Sequence, residues 1–127
     1  MMRSMLKSKI HRATVTEANV DYVGSLSIDE ELADLADLRE YEEIMVADLD
    51  SGERLYTYVI LAQRGSRTIG VNGAAALKIR EGHKVIIFSF AHYYKDEVDE
   101  FKPHLVFVDD SNNPVPGPDR ETHGQIV

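Results

Sequence analysis

Apolar and polar positions alternate with a period near two over most of the chain, a pattern that predicts strands. In Lys9–Thr16 (KIHRATVT) several residues are β-branched, and alternation places Lys9, His11, Ala13 and Val15 on one face. Asp21–Ser25 reads as a short extended piece ending in Gly24-Ser25. Ser27-Ile-Asp-Glu30 reads as a capping box that opens a short helix, with Ile28, Leu32, Leu35 and Ala36 on a shared face. Ile44–Leu49 and Arg54–Ala62 read as the arms of a hairpin around Asp50-Ser51-Gly52. In the second arm Leu55, Thr57, Val59 and Leu61 face one way, and Arg54, Tyr56, Tyr58 and Ile60 the other. Ser66–Val71 is a further strand. The Asn72-Gly73 pair and the helix-favouring Ala74-Ala75-Ala76-Leu77 after it make a strand–turn–helix. Lys84–Phe90 and Leu105–Val108 are the last predicted strands. From Asp109 the text turns polar and Pro-rich, which divides the chain into a β domain, 1–109, and a flexible polar tail, 110–127. Many short strands with two small helices predict a mainly β protein built as a compact β-barrel.

Composition narrows the function more than the fold. The 127 residues make one domain, and no apolar run approaches the ~20 residues of a membrane span. The opening MMRSMLKSKIHR carries bases but no apolar stretch, so no secretory signal is expected. Acids outnumber bases 22 to 14, for a formal net charge of -8, which argues against nucleic-acid and anionic-membrane partners. Cysteine is absent, which excludes disulfides, thiolate catalysis and zinc–sulfur sites and fits the cytoplasm. The five histidines show no metal-ligand spacing, so no metal is expected. Asp29–Glu53 holds 11 acids and one base and reads as a solvated face.

Four features carry candidate chemistry. Gly24-Ser25, taken alone, is a turn dipeptide. A serine hydroxyl can nonetheless attack the preceding carbonyl through a five-membered ring and turn the amide into an ester. A glycine at that carbonyl lets the backbone strain toward the geometry required. Elimination of the ester and loss of ammonia then leave a pyruvoyl group on residue 25. On the second arm of the hairpin, Arg54 can grip a carboxylate, Tyr58 can serve as a general acid and Thr57 can donate to an oxyanion. The bland reading of these residues is a surface Arg and a rim Tyr. Lys9 and His11 belong to a stretch of 12 residues with four bases and no acid, in a chain that is acidic elsewhere. Gly70-Val-Asn-Gly-Ala-Ala75 offers backbone N–H groups beside a helix start but lacks the phosphate-binding glycine motifs.

Together these pieces resemble one family. Met1-x-Arg-x-Met-Leu-x-x-Lys-Ile-His-Arg12, Tyr22-Val-Gly-Ser25 with Ile28-Asp29, Gly52-x-Arg54 with Thr57-Tyr58, Arg64-Gly-Ser66 and Val71-Asn-Gly-Ala-Ala-Ala76 look like the aspartate 1-decarboxylases. The resemblance runs collinearly from Met1 to about Phe90. It implies a six-stranded double-psi β-barrel with short helices, assembled as a homotetramer with sites between subunits. It implies a pyruvoyl-dependent enzyme that converts L-aspartate to β-alanine and CO₂ in pantothenate biosynthesis. The proenzyme cleaves itself between Gly24 and Ser25, and a helper protein for maturation is among the partners the resemblance allows. Carried across by position, Ser25 is the source of the pyruvoyl cofactor and forms the Schiff base. Thr57 assists self-cleavage and Tyr58 donates the proton. Lys9 and Arg54 hold the substrate carboxylates. His11, Tyr22, Asn72, Gly73, Ala74 and Ala75 line the site. Positions 23 and 26, here Val and Leu, depart from the family pattern. The chemistry agrees, because decarboxylating an amino acid requires an electron sink, and this chain is too small for the folds that carry pyridoxal phosphate. The reading from another class is a non-catalytic β-barrel interaction module; a third keeps the cofactor and takes glutamate.

Overall fold

A computed structural model describes all of residues 1–127. Strand β1 (Met2–Thr14) runs almost directly into β2 (Glu17–Asn19). β3 (Ser25–Asp29) leads into a short helix, α1 (Glu30–Leu35). β4 (Glu43–Asp48) and β5 (Arg54–Ala62) form the predicted hairpin, with Ile44 opposite Thr57 and Ala47 opposite Arg54. β6 (Ile69–Asn72) passes into a 3₁₀ turn, Gly73–Leu77, so the expected strand–turn–helix is present. β7 (Lys84–Tyr94), α2 (Lys95–Val98), β8 (His104–Val108) and β9 (Pro114–Val115) complete the chain.

The strands pair in the order β2-β6-β3-β5-β4-β7-β1, with β8 and β9 continuing beyond β1. Only Val15 and Thr16 separate β1 from β2. The two ends of the run are therefore one bent strand, and the sheet closes on itself as a six-stranded barrel. Within it β2 lies parallel to β6 and β3 parallel to β5, while the other neighbours run antiparallel. This is the double-psi β-barrel, mainly β with short helices. Its interior is one cluster that includes Ile10, Leu26, Ile28, Ile44, Val59, Ile69 and Ile87, each 1% exposed or less. Burying each such side chain contributes about 1.5–3 kcal/mol.

Three local expectations are corrected. The face read as Lys9, His11, Ala13 and Val15 is split by a bulge between Ile10 and Ala13, where Arg12 takes a φ of 60°. Past the bulge the inward phase shifts by one residue, so Ile10, Ala13 and Val15 are buried and Lys9 and His11 are not fully so. The helix is capped by Asp29 rather than Ser27, because β3 keeps pairing with β5 through Asp29. Asp29 Oδ1 accepts the Glu31 amide at 2.8 Å as the cap, and Leu35 turns to solvent while Ala33 is buried.

The acidic stretch is also not solvated throughout, since Asp29 and Asp48 are buried. Burial alone pushes the Asp29 carboxyl up; the amides of Gly65, Arg67 and Glu31 and the Arg67 guanidinium outweigh it and hold the pKa below its ordinary value. At the hairpin turn burial likewise raises Asp48, and the Asp50 amide, the Ser51 hydroxyl and His83 prevail in lowering it. Residues 110–115, past the boundary drawn from composition, carry ordered contacts. Asn112 is fully buried; its Oδ1 accepts the Thr14 amide at 2.7 Å, and its Nδ2 donates to the carbonyls of Thr14 and Arg67.

Candidate active site

Ser25 is the first residue of β3, and only 4% of its surface is exposed. The three residues before it, Tyr22, Val23 and Gly24, are exposed, so the Gly24-Ser25 bond lies where a surface loop enters the barrel. Ser25 pairs with Asn72 across the antiparallel β3–β6 ladder. The Ser25 hydroxyl donates to the Val23 carbonyl at 3.1 Å and accepts from Asn72 Nδ2 at 2.9 Å. The same amide nitrogen donates to Ser27 Oγ, also at 2.9 Å. Asn72 Oδ1 is buried and has no hydrogen-bond partner. An acceptor left so in a dry environment is costly, and it marks a position where a donor is due.

Gly73 fixes the approach of the two loops. Its φ is +76°, and a Cβ at this position would stand 2.6 Å from Gly24 Cα and 3.0 Å from Gly24 N. The absence of a side chain at Gly73 therefore lets β6 press its turn directly against the Gly24-Ser25 linkage. Ala74 and Ala75 follow in the 3₁₀ turn, Ala74 exposed and Ala75 half-buried.

β5 flanks β3 on its other side, in parallel. Leu26 pairs with Val59, one residue beyond Ser25 and Tyr58 respectively, so Thr57 and Tyr58 sit on the strand neighbouring the serine. Both are half-buried, Thr57 on the inward phase and Tyr58 on the outward one, as alternation predicts. The Tyr58 ring rests against Tyr41, with centroids 6.1 Å apart. Arg54, at the start of β5, is exposed.

Lys9 and His11 lie elsewhere on the same chain, on the half of β1 that pairs with β7 and β8. Lys9 Nζ stands 5.9 Å over the Phe88 ring and 3.3 Å from Glu121 Oε1. The His11 ring meets Phe107 edge-on at 5.6 Å, and its Nδ1 is buried without a partner. Burial first, and the Lys9 charge second, push the His11 pKa below its ordinary value. The fold thus gathers Gly24, Ser25, Asn72 and Gly73 into one cluster beside Thr57 and Tyr58. No hydrogen bond or ion pair ties Lys9, His11 or Arg54 to that cluster within one chain.

Ser27, Tyr41 and Glu121 touch these residues and were not singled out from sequence. Ser27 carried a signal, because a residue two past Ser25 on a strand shares its side. Tyr41 and Glu121 carried none, since each is brought in by tertiary contact across a long separation.

A protein-family model, aspartate decarboxylase, matches residues 1–115. A protein of Clostridium kluyveri named aspartate 1-decarboxylase is 49% identical over 126 residues, 99% of each chain. One of Clostridium botulinum with the same name is 48% identical over 127 residues, the whole of both chains. A third, from Desulfitobacterium hafniense, is 49% identical over 125 residues, 98% of each.

Proposed function

The chain belongs to the aspartate decarboxylase family, and from that premise we propose that it makes its own electrophile from Ser25. It is a carboxy-lyase that decarboxylates L-aspartate. Loss of the α-carboxyl as CO₂ leaves β-alanine, which we place in pantothenate biosynthesis. The observation that carries the reading is the buried Ser25 hydroxyl, held between Asn72 Nδ2 and the Val23 carbonyl, next to a glycine that Gly73 contacts closely.

Self-processing uses this chain's own groups. Ser25 Oγ bonds to the Gly24 carbonyl carbon as the C–N bond breaks, which gives an ester and frees the amine of residue 25. Thr57 stabilises the oxyanion of that step. Loss of the Ser25 α-proton and cleavage of the Cβ–O bond release Gly24 as a carboxylate. Water then replaces the nitrogen, and ammonia leaves. The products are a short chain, 1–24, and a long chain, 25–127, headed by pyruvoyl. The surroundings fit its formation and use, because Asn72 Nδ2 is a donor beside residue 25, the orphaned Asn72 Oδ1 is an acceptor for an amine N–H, of residue 25 in the ester or of the substrate, and the linkage has no Cβ on the 24 or the 73 side. When present, the pyruvoyl carbonyl binds the substrate amine and takes up the electrons that departing CO₂ leaves behind. Tyr58 returns a proton to the carbon that lost CO₂. Lys9 and Arg54 each take one carboxylate, fixing which one faces the electrophile. His11, Tyr22 and the run Asn72–Ala75 shape the walls. The separation of Lys9 from Ser25 in one chain supports a homotetramer in which neighbouring subunits complete each site. No helix is long and apolar enough to cross a membrane, and the cysteine-free chain suits the cytoplasm, which we include in the proposal.

Intact-mass analysis tests the reading. Two fragments are expected, the larger lighter by one ammonia than plain hydrolysis gives. Ser25→Ala is expected to stay a single inactive chain. One uncut chain from the natural sequence after prolonged warming overturns the proposal and favours the interaction-module reading.

A further inference from the structure

The region after Asp109 returns across the basic N-terminal strand. Glu121 Oε1 stands 3.3 Å from Lys9 Nζ, and the Lys9 side chain is only 16% exposed. Asp119, Arg120 and Glu121 form one wall of a cavity of about 670 Å³, and Ser4, Met5 and Leu6 of β1 lie on another. The carboxylate resting on Lys9 is thus part of a segment draped over open space. The Lys9 ammonium also stands over the Phe88 ring, 5.9 Å from its centroid, a contact that does not involve Glu121.

We propose that Glu121 is a gate for substrate entry: its carboxylate occupies the place on Lys9 that one carboxylate of L-aspartate takes, and the substrate binds by displacing it. This rests on the assignment of Lys9 to a substrate carboxylate. The exchange is chemically even, one carboxylate for another on the same ammonium, so Glu121 lowers apparent affinity without blocking the site. Apparent affinity falls in proportion to the fraction of molecules in which Lys9 is free. Glu121 is 45% exposed on its side chain, and a half-exposed ion pair shifts such an equilibrium modestly.

Glu121→Gln keeps the shape of the side chain and removes its charge. The expected result is a KM for L-aspartate lower by about two- to fivefold with kcat held. A readout independent of turnover is acetylation of Lys9 by a water-soluble acylating reagent, followed by peptide mass in the uncut Ser25→Ala chain. Lys9 is expected to react faster, relative to Lys95 and Lys102, when Glu121→Gln is added. Unchanged KM and unchanged Lys9 reactivity overturn the gate. Lys9→Gln separates the two ideas. If it raises KM while Glu121→Gln does nothing, the gate fails and the Lys9 assignment stands; if Lys9→Gln keeps the natural KM, the assignment itself fails and the gate with it.

Discussion

Gly73 shows how much one missing side chain can set. A φ of +76° costs an L-residue about 1–2 kcal/mol by itself. Gly52, in the hairpin turn, has φ +78° but open space where its Cβ would go, so it isolates that cost. At Gly73 the added carbon meets Gly24 backbone at 2.6 Å, which no side-chain rotation relieves. Gly73→Ala is therefore expected to lower stability by about 1–3 kcal/mol more than Gly52→Ala, by denaturant midpoint in the uncut Ser25→Ala background. In the cleavable chain Gly73→Ala is expected to slow self-cleavage while Gly52→Ala leaves it near the natural rate, by fragment mass over time. Equal effects of the two would show that the contact does not position the scissile bond. Gly24, Ser25, Asn72 and Gly73 were legible in sequence as motif residues. Their mutual contact was not, because it depends on the β3–β6 register, which pairs residues 47 apart.

Between strands, the element that most repays attention is the bend from β1 to β2. Its sequence, Ala13-Thr-Val-Thr16, reads as uninterrupted strand. The bulge at Arg12 and the change of partner from β7 to β6 were hidden, since local alternation says nothing about which neighbour supplies the hydrogen bonds. Asn112 fastens this bend through three hydrogen bonds to Thr14 and Arg67, from a stretch whose polarity resembles loose tail. Polarity misleads there because a fully buried amide with matched partners is structural, and only the partners' positions reveal it. Asn112→Ala strands the Thr14 amide and two carbonyls and is expected to cost about 2–4 kcal/mol. Amide exchange at Thr14 should accelerate sharply, while the β4–β5 hairpin keeps its protection. Uniform acceleration across both would point to global unfolding instead. The hairpin was the most legible element, as period-two alternation and a Gly-containing turn agree with the tertiary pairing.

For the whole molecule, three buried or half-buried groups set how stability varies with pH. His11 has a folded pKa below its unfolded value near ~6.5, so the unfolded chain takes up its proton first. Stability is then expected to fall as pH drops through that value toward the lower folded one. Asp29 and Asp48 are lowered from an unfolded value near ~3.9; their contribution is complete above it and is lost as pH falls through the folded pKa values. Urea midpoints of the uncut Ser25→Ala chain should thus descend in two stages, one below about pH 6.5 and one below about pH 4. His11→Gln should remove the upper stage alone, and Asp29→Asn should shrink the lower; an upper stage that survives His11→Gln would assign it to another group. The barrel's closure through Val15 and Thr16 has a different consequence. On the proposed cleavage, the short chain 1–24 would contain all of β1 and β2, a full stave of the barrel gripped by β7, β8 and β6. A cut between Gly24 and Ser25 therefore releases nothing; the two pieces stay interlocked until the barrel melts. Folding of the intact chain is unimolecular, whereas reassembly after melting becomes bimolecular and depends on concentration. If the chain cuts itself as proposed, the nick makes the order of events irreversible: the molecule must fold before it cuts, and once cut, each loss of structure risks being permanent.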